Sequence, residues 1–161
     1  MYNATVSFRN QIGGSVTSES LIDAFWESIP PVWRQTRTKI RAVAAERFGL
    51  TVEQFHALRR IRRGYDSVSA LAEEGRLSRS QASRAVDALV HRKLVARQID
   101  ARDRRHVHLS LTESGEQTLA AIYAETETWL AERFQTLSAT QSQDIARALS
   151  LLREVFTSPK S

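Results

Sequence analysis

The 161-residue chain contains no cysteine. Disulfides, thiolate metal sites and thiol-based redox sensing are therefore excluded. No apolar run approaches the ~20 residues that a membrane helix needs. The opening stretch, MYNATVSFRNQIGGSVTSES, lacks a basic start followed by an apolar segment. A secretion signal is therefore not expected, and a cytoplasmic protein is. Also missing are a nucleophile elbow, a glycine-rich phosphate loop and an H-E-x-x-H helix. Ser, His and Asp are numerous, but no spacing arranges them for catalysis, so an enzyme is not expected. The length suits one domain with a core able to fold without staples.

What is present is positive charge, and it is concentrated. The chain carries 23 Lys/Arg against 18 Asp/Glu, a formal +5. From Arg59 to Arg105 there are thirteen cationic residues and six acidic ones, a local +7 that leaves −2 for all the rest. Such a middle segment implies an anionic partner more than a uniformly solvated surface.

Residues 1–18 are rich in Ser, Thr, Asn and Gly without a sustained period, as expected of a flexible arm. From Ser20, Leu21, Ile22, Phe25, Trp26 and Ile29 share one helical face. Pro30-Pro31 is expected to break or kink that helix, because proline lacks the amide donor. A second helix then follows with Trp33, Ile40, Val43 and Ala44, closed by Gly49. Three shorter helices come next. Thr51 with Gln54 forms a capping box before Val52, Phe55, Leu58 and Ile61. Ser67 caps a two-turn helix ending at Gly75. Ser78 with Gln81 caps a third, whose apolar face is Ala82, Ala85, Val86, Leu89 and Val90.

Two strands are expected at 94–99 and 106–111, with Val107, Leu109 and Leu111 inward. They flank the tip DARDRRH, which holds two Asp and three Arg without Gly or Pro. A long helix starts at Thr112 and runs to about Leu137. Ser138 and Gln141 can cap a last helix carrying Ile145, Leu149, Leu152, Val155 and Phe156. The expected fold class is mainly α with a small β-hairpin wing, a winged helix-turn-helix.

The third middle helix turns Arg79, Ser80, Ser83, Arg84 and Asp87 away from its apolar face. A DNA major groove admits one α-helix, and small residues let that helix approach the bases. Arginine can donate to guanine, glutamine to adenine, and serine to phosphate or base edges. The bland alternative is an ordinary amphipathic surface helix; the neighbouring hairpin tells against it. Arginines on a narrow tip suit a minor groove, whose phosphates on both sides deepen the negative potential. Asp100 and Asp103 are expected to pair with neighbouring arginines and fix the loop.

The run from Leu50 to Gly115 resembles the MarR family of bacterial transcription regulators. The marks are Leu71-Ala72, VDALVHRKLVAR at 86–97, and DARDRRHVHLSLTESG, which matches the wing signature D-x-x-D-R-R followed by L-T-x-x-G. The resemblance implies a homodimer whose terminal helices interlock and whose two winged lobes bind a pseudo-palindromic operator on double-stranded DNA. Carried over by position, Ser78, Arg79, Ser80, Gln81, Ser83 and Arg84 fall on the recognition helix. Arg102, Asp103, Arg104 and Arg105 fall on the wing. One departure is the turn before the first strand, which reads Arg92-Lys93-Leu94 where the family places glycine. Lys93 is expected to adopt a turn conformation that suits glycine better.

The organisation expected is an arm (1–18), N-terminal dimerisation helices (19–49), a DNA-binding domain (50–112), C-terminal dimerisation helices (113–157) and a tail (158–161). Phe25, Trp26, Trp33, Trp129, Phe134, Leu149, Leu152 and Phe156 exceed what a small winged lobe can cover, and a twofold dimer would bury them. Many relatives bind a small aromatic or anionic effector, for which Trp26, Trp33, Arg37 and His56 are candidates here; core packing is the plainer role for the aromatics. No cofactor or metal is expected. His106 and His108 lie beside three arginines that repel a cation, His91 adjoins Arg92 and Lys93, and His56 has no acidic partner at suitable spacing. The alternative is a winged helix used for nonspecific nucleic-acid or protein binding.

Overall fold

A computed structural model describes residues 17–99 and 107–157. In chain order the described elements are α1 (Ser18–Phe48), α2 (Val52–Arg62), α3 (Val68–Gly75), α4 (Arg79–His91), β1 (Val95–Ile99), β2 (Val107–Leu111), α5 (Glu113–Phe134) and α6 (Ala139–Thr157). The strands pair antiparallel in one hairpin, with Val95 opposite Leu111 and Ile99 opposite Val107. The described residues divide into two units at Arg37–Thr38, a boundary inside α1.

Pro30 and Pro31 do not end the first helix. α1 runs through both as one 31-residue element, which corrects the expected break. Proline's fixed φ is itself helical; the loss is two amide donors, which deprives the carbonyls of Trp26 and Glu27 of intrahelical partners. Trp26 and Glu27 both face solvent, where water can serve those carbonyls.

The larger unit closes over one cluster of buried side chains. Val43 and Ala44 of α1 join Phe55, Leu58 and Ile61 of α2, Leu71 and Ala72 of α3, and Ala82, Val86 and Leu89 of α4. Leu94, Val95 and Leu109 from the hairpin and Leu119 and Ile122 from α5 complete it. Val107 departs from the alternation expected of β2. Leu109 is buried and Leu111 half-buried, but Val107 is 40 % exposed. It pairs with Ile99 at the outer end of the hairpin, where the ladder has outrun the core. α5 stops at Phe134, three residues before Leu137. α6 follows the expected Ser138–Gln141 cap and buries none of its residues.

Four helices end on a residue in the left-handed region: Gly49 (φ +59°), Gly64 (+95°), Arg76 (+49°) and Lys93 (+57°). After α4 the bonds are those of a Schellman motif, Leu94 N–H donating to Leu89 C=O at 2.9 Å and Lys93 N–H to Val90 C=O at 2.9 Å. Lys93 thus occupies the strained turn that its place in the sequence suggests. Lys93→Gly is expected to stabilise the chain by about 1 kcal/mol by removing the Cβ penalty. A urea midpoint equal to or below that of the parent chain would refute this.

Candidate nucleic-acid interface

α4 is held at both ends by its own sequence. At the start, Ser78 Oγ accepts from Gln81 N–H at 3.2 Å, and Gln81 Oε1 accepts from Ser78 N–H at 2.9 Å. Two otherwise orphaned amides are satisfied by this reciprocal pair. Ala82, Ala85, Val86 and Leu89 face the core; the two alanines allow close approach to α2 and α3. Arg79, Ser80, Gln81 and Arg84 are exposed along the opposite side, and Ser83 is half-buried. A short-residue face bearing two guanidinium groups is thus presented to solvent.

The cap refines the expected roles. The carbonyl of Gln81 is committed to the backbone of Ser78, so in this conformation the side chain offers its NH2 but not the paired donor and acceptor that read adenine. Ser83 Oγ donates to Asp87 Oδ2 at 3.4 Å. Asp87 in turn binds the Arg97 guanidinium on β1, tying the far half of α4 to the hairpin. Both groups are largely exposed, so the pair adds little to stability. What it fixes is direction.

Neighbouring elements supply residues that sequence reasoning missed. Arg84 and Gln81 share a shallow hollow with Thr51, Glu53 and Gln54 at the start of α2. The Glu53 carboxyl is held below the usual carboxylate range, first by its own backbone amide, then by the Thr51 hydroxyl, with a smaller pull from His56. A carboxylate thus lines the same hollow as Arg84, and His56 does have an acidic neighbour one turn away. At the hairpin, His108 Nδ1 lies 2.7 Å from Asp66 Oδ2, and Leu109 N–H donates to Asp66 C=O at 2.7 Å. These bonds sew the α2–α3 loop to β2. Neither pairing has a signal in local spacing, since 42 residues separate Asp66 from His108.

The wing residues Arg102, Asp103, Arg104 and Arg105, with Asp100 and His106, lie outside the described residues. Of the effector candidates, Trp26, Trp33 and Arg37 lie on exposed turns of α1, with the Arg37 guanidinium 5.8 Å from the Trp33 ring centre. His56 is half-buried on α2, its ring centre 6.0 Å from that of Phe55. Among the described residues, no three His, Asp or Glu side chains group as a metal site. No described helix is long and apolar enough to cross a membrane.

A family model described as MarR family matches residues 48–106. No curated protein matches the sequence. Solved structures do match in fold. The transcriptional regulator Tm0710 from Thermotoga maritima superposes with a TM-score of 0.77 at 23 % identity, over 83 % of this chain and 94 % of that one. The multiple antibiotic-resistance repressor MarR from Listeria monocytogenes gives 0.74 at 20 % identity, over 90 % and 100 %. A single-residue mutant of MepR from S. aureus, bound to an oligodeoxyribonucleotide, gives 0.64 at 19 % identity, over 88 % and 99 %. With its capped α4 and its two-stranded hairpin, the chain shares the winged-helix fold of these solved structures, and its residues 48–106 match the MarR family model.

Proposed function

We propose that the chain is a sequence-specific DNA-binding transcriptional regulator. It acts in the cytoplasm as a homodimer on a pseudo-palindromic operator, and as a repressor released by a small aromatic or anionic effector. The observation that carries this reading is the exposed face of α4, where Arg79, Ser80 and Arg84 stand clear of the core while both helix ends are secured. A rigid helix with short side chains and two guanidinium groups is what a major groove accepts. The MepR mutant supports the reading because its DNA-bound form shares this fold.

Dimerisation is supported by what the chain leaves uncovered. Leu21, Ile22, Trp26 and Trp33 of α1 and Leu149, Val155 and Phe156 of α6 are each more than half exposed. Burying such a side chain contributes roughly 1.5–3 kcal/mol, so a partner surface has a strong driving force. Segments 19–49 and 113–157 are accordingly assigned to the dimer and 50–112 to DNA, with no catalytic role. The stacked Trp33 and Arg37 suit an aromatic acid as effector.

The test is a gel shift on DNA upstream of the chain's own gene, with excess random competitor. A band that survives the competitor supports the reading. Equal competition by random DNA would mean nonspecific coating, and no shift at low salt would point to protein contacts instead. Arg84→Ala is expected to lose discrimination at one base position, about 1–3 kcal/mol or roughly 5- to 150-fold. Arg105→Ala is expected to weaken all sequences alike; a change confined to discrimination would refute its assignment to the wing.

A further inference from the structure

The turn between α4 and β1 gathers contacts from the C-terminal end of α1 and the start of α5. Arg92, the residue that closes α4, sends its guanidinium across to the end of α1. Nη2 donates to Phe48 C=O at 2.6 Å and Nη1 to Gly49 C=O at 3.0 Å. These carbonyls lie at the negative pole of α1, and a planar fork meets two of them at once. On the next residue, Lys93 C=O accepts from Thr112 Oγ1 at 2.6 Å, and Leu94 C=O accepts from Thr112 N–H at 3.1 Å. Thr112 is the N-cap of α5. Three consecutive residues therefore join the end of α1, the end of α4 and the start of α5.

From this geometry we infer that Arg92 is a positioning residue, which fixes the angle of α4 against the end of α1. The inference rests on the DNA-binding reading above and names a device within it. α4 has 13 residues and is therefore about 20 Å long. A pivot of about 10° at its C-terminal end moves its first turn by roughly 3 Å, which exceeds the tolerance of a base contact. Arg92 holds that pivot from α1. In a dimer joined through α1 and the C-terminal helices, the same bonds set the distance between two recognition helices. Arg92 is thereby withdrawn from the set of cations free to meet phosphate.

The test is operator binding by the full chain and by Arg92→Ala and Arg92→Lys, on half-sites at native spacing and with one base pair added or removed. The parent chain is expected to prefer native spacing by about tenfold or more. Arg92→Ala is expected to flatten that preference to about threefold or less while random-sequence affinity stays unchanged, since the lost group touches no phosphate. Arg92→Lys, which can serve one carbonyl but not both, should recover part of the preference. If Arg92→Ala fails to fold by circular dichroism, Arg92→Lys is judged on the same spacing series. A parent chain with sharp spacing preference that either folded variant fully retains overturns the inference alone. A parent chain without specific binding overturns the DNA reading and this inference with it.

Discussion

Gly115→Ala is expected to lower the unfolding midpoint by about 6–12 °C, the equivalent of roughly 3 kcal/mol in a chain of this size. In most helices the same exchange is favourable by about 0.5–1 kcal/mol, because alanine loses less backbone entropy. Here sterics reverse the sign. Gly115 is buried in the first turn of α5, and a Cβ on it would lie 2.1 Å from the Leu94 carbonyl oxygen. That atom is backbone, and it also accepts from Thr112 N–H. Relief requires α5 to withdraw from the α4–β1 turn, losing the Thr112 bonds to Lys93 and Leu94, each worth about 1 kcal/mol, beside an overpacking cost of about 1–3 kcal/mol. The sum outweighs the helix-propensity gain. A thermal melt within about 2 °C of the parent chain would show that α5 can slide here at little cost.

Operator affinity is expected to fall by about 10³ to 10⁵ between about 50 and 200 mM salt, provided the two lobes together neutralise six to ten phosphates. The number of available cations makes this a demanding prediction. Thirteen Lys/Arg lie between Arg59 and Arg105, but several are occupied. Arg59 lies over the Phe55 ring and Arg62 over that of Tyr123. Arg92 serves carbonyls and Arg97 serves Asp87. On the proposed DNA-binding reading, Arg79 and Arg84 on α4 and the arginines of the 100–106 tip are the cations left to meet phosphates and bases. Two lobes then reach the required range. Fluorescence anisotropy against log salt gives the count directly; a slope equivalent to fewer than about two phosphates is incompatible with this interface.

Local chemistry is readable wherever it is encoded within one turn of helix. Thr51 with Gln54, Ser78 with Gln81 and Ser138 with Gln141 all form the reciprocal bonds that their three-residue spacing implies. The apolar period of α4 likewise selects the residues that face the core and, by subtraction, the exposed Arg79, Ser80 and Arg84. Misreadings occur where a general rule meets its surroundings. Proline's missing donor weighs less than expected at Pro30-Pro31, because φ is already helical and the affected residues face water. Strand alternation places Val107 inward, though the hairpin extends past the core at that point. Contacts between distant segments leave no trace in the sequence. Arg92 and Phe48 are 44 residues apart, and nothing in either neighbourhood announces that a charged side chain caps another helix. The same holds for Glu53, which reaches the hollow of Arg84 only because α2 and α4 pack together.

The reciprocal cap at the start of α4 has an evolutionary consequence on the DNA reading. Position 81 serves two masters, the backbone of its own helix and the groove it enters. Alanine there would fray the helix, and glutamate would keep the cap while turning a negative charge toward phosphate. Ser80 and Arg84 carry no such structural duty. Drift in operator preference among descendants of this chain is therefore channelled through 80 and 84, while 81 stays fixed as the hinge pin around which new specificities are cut.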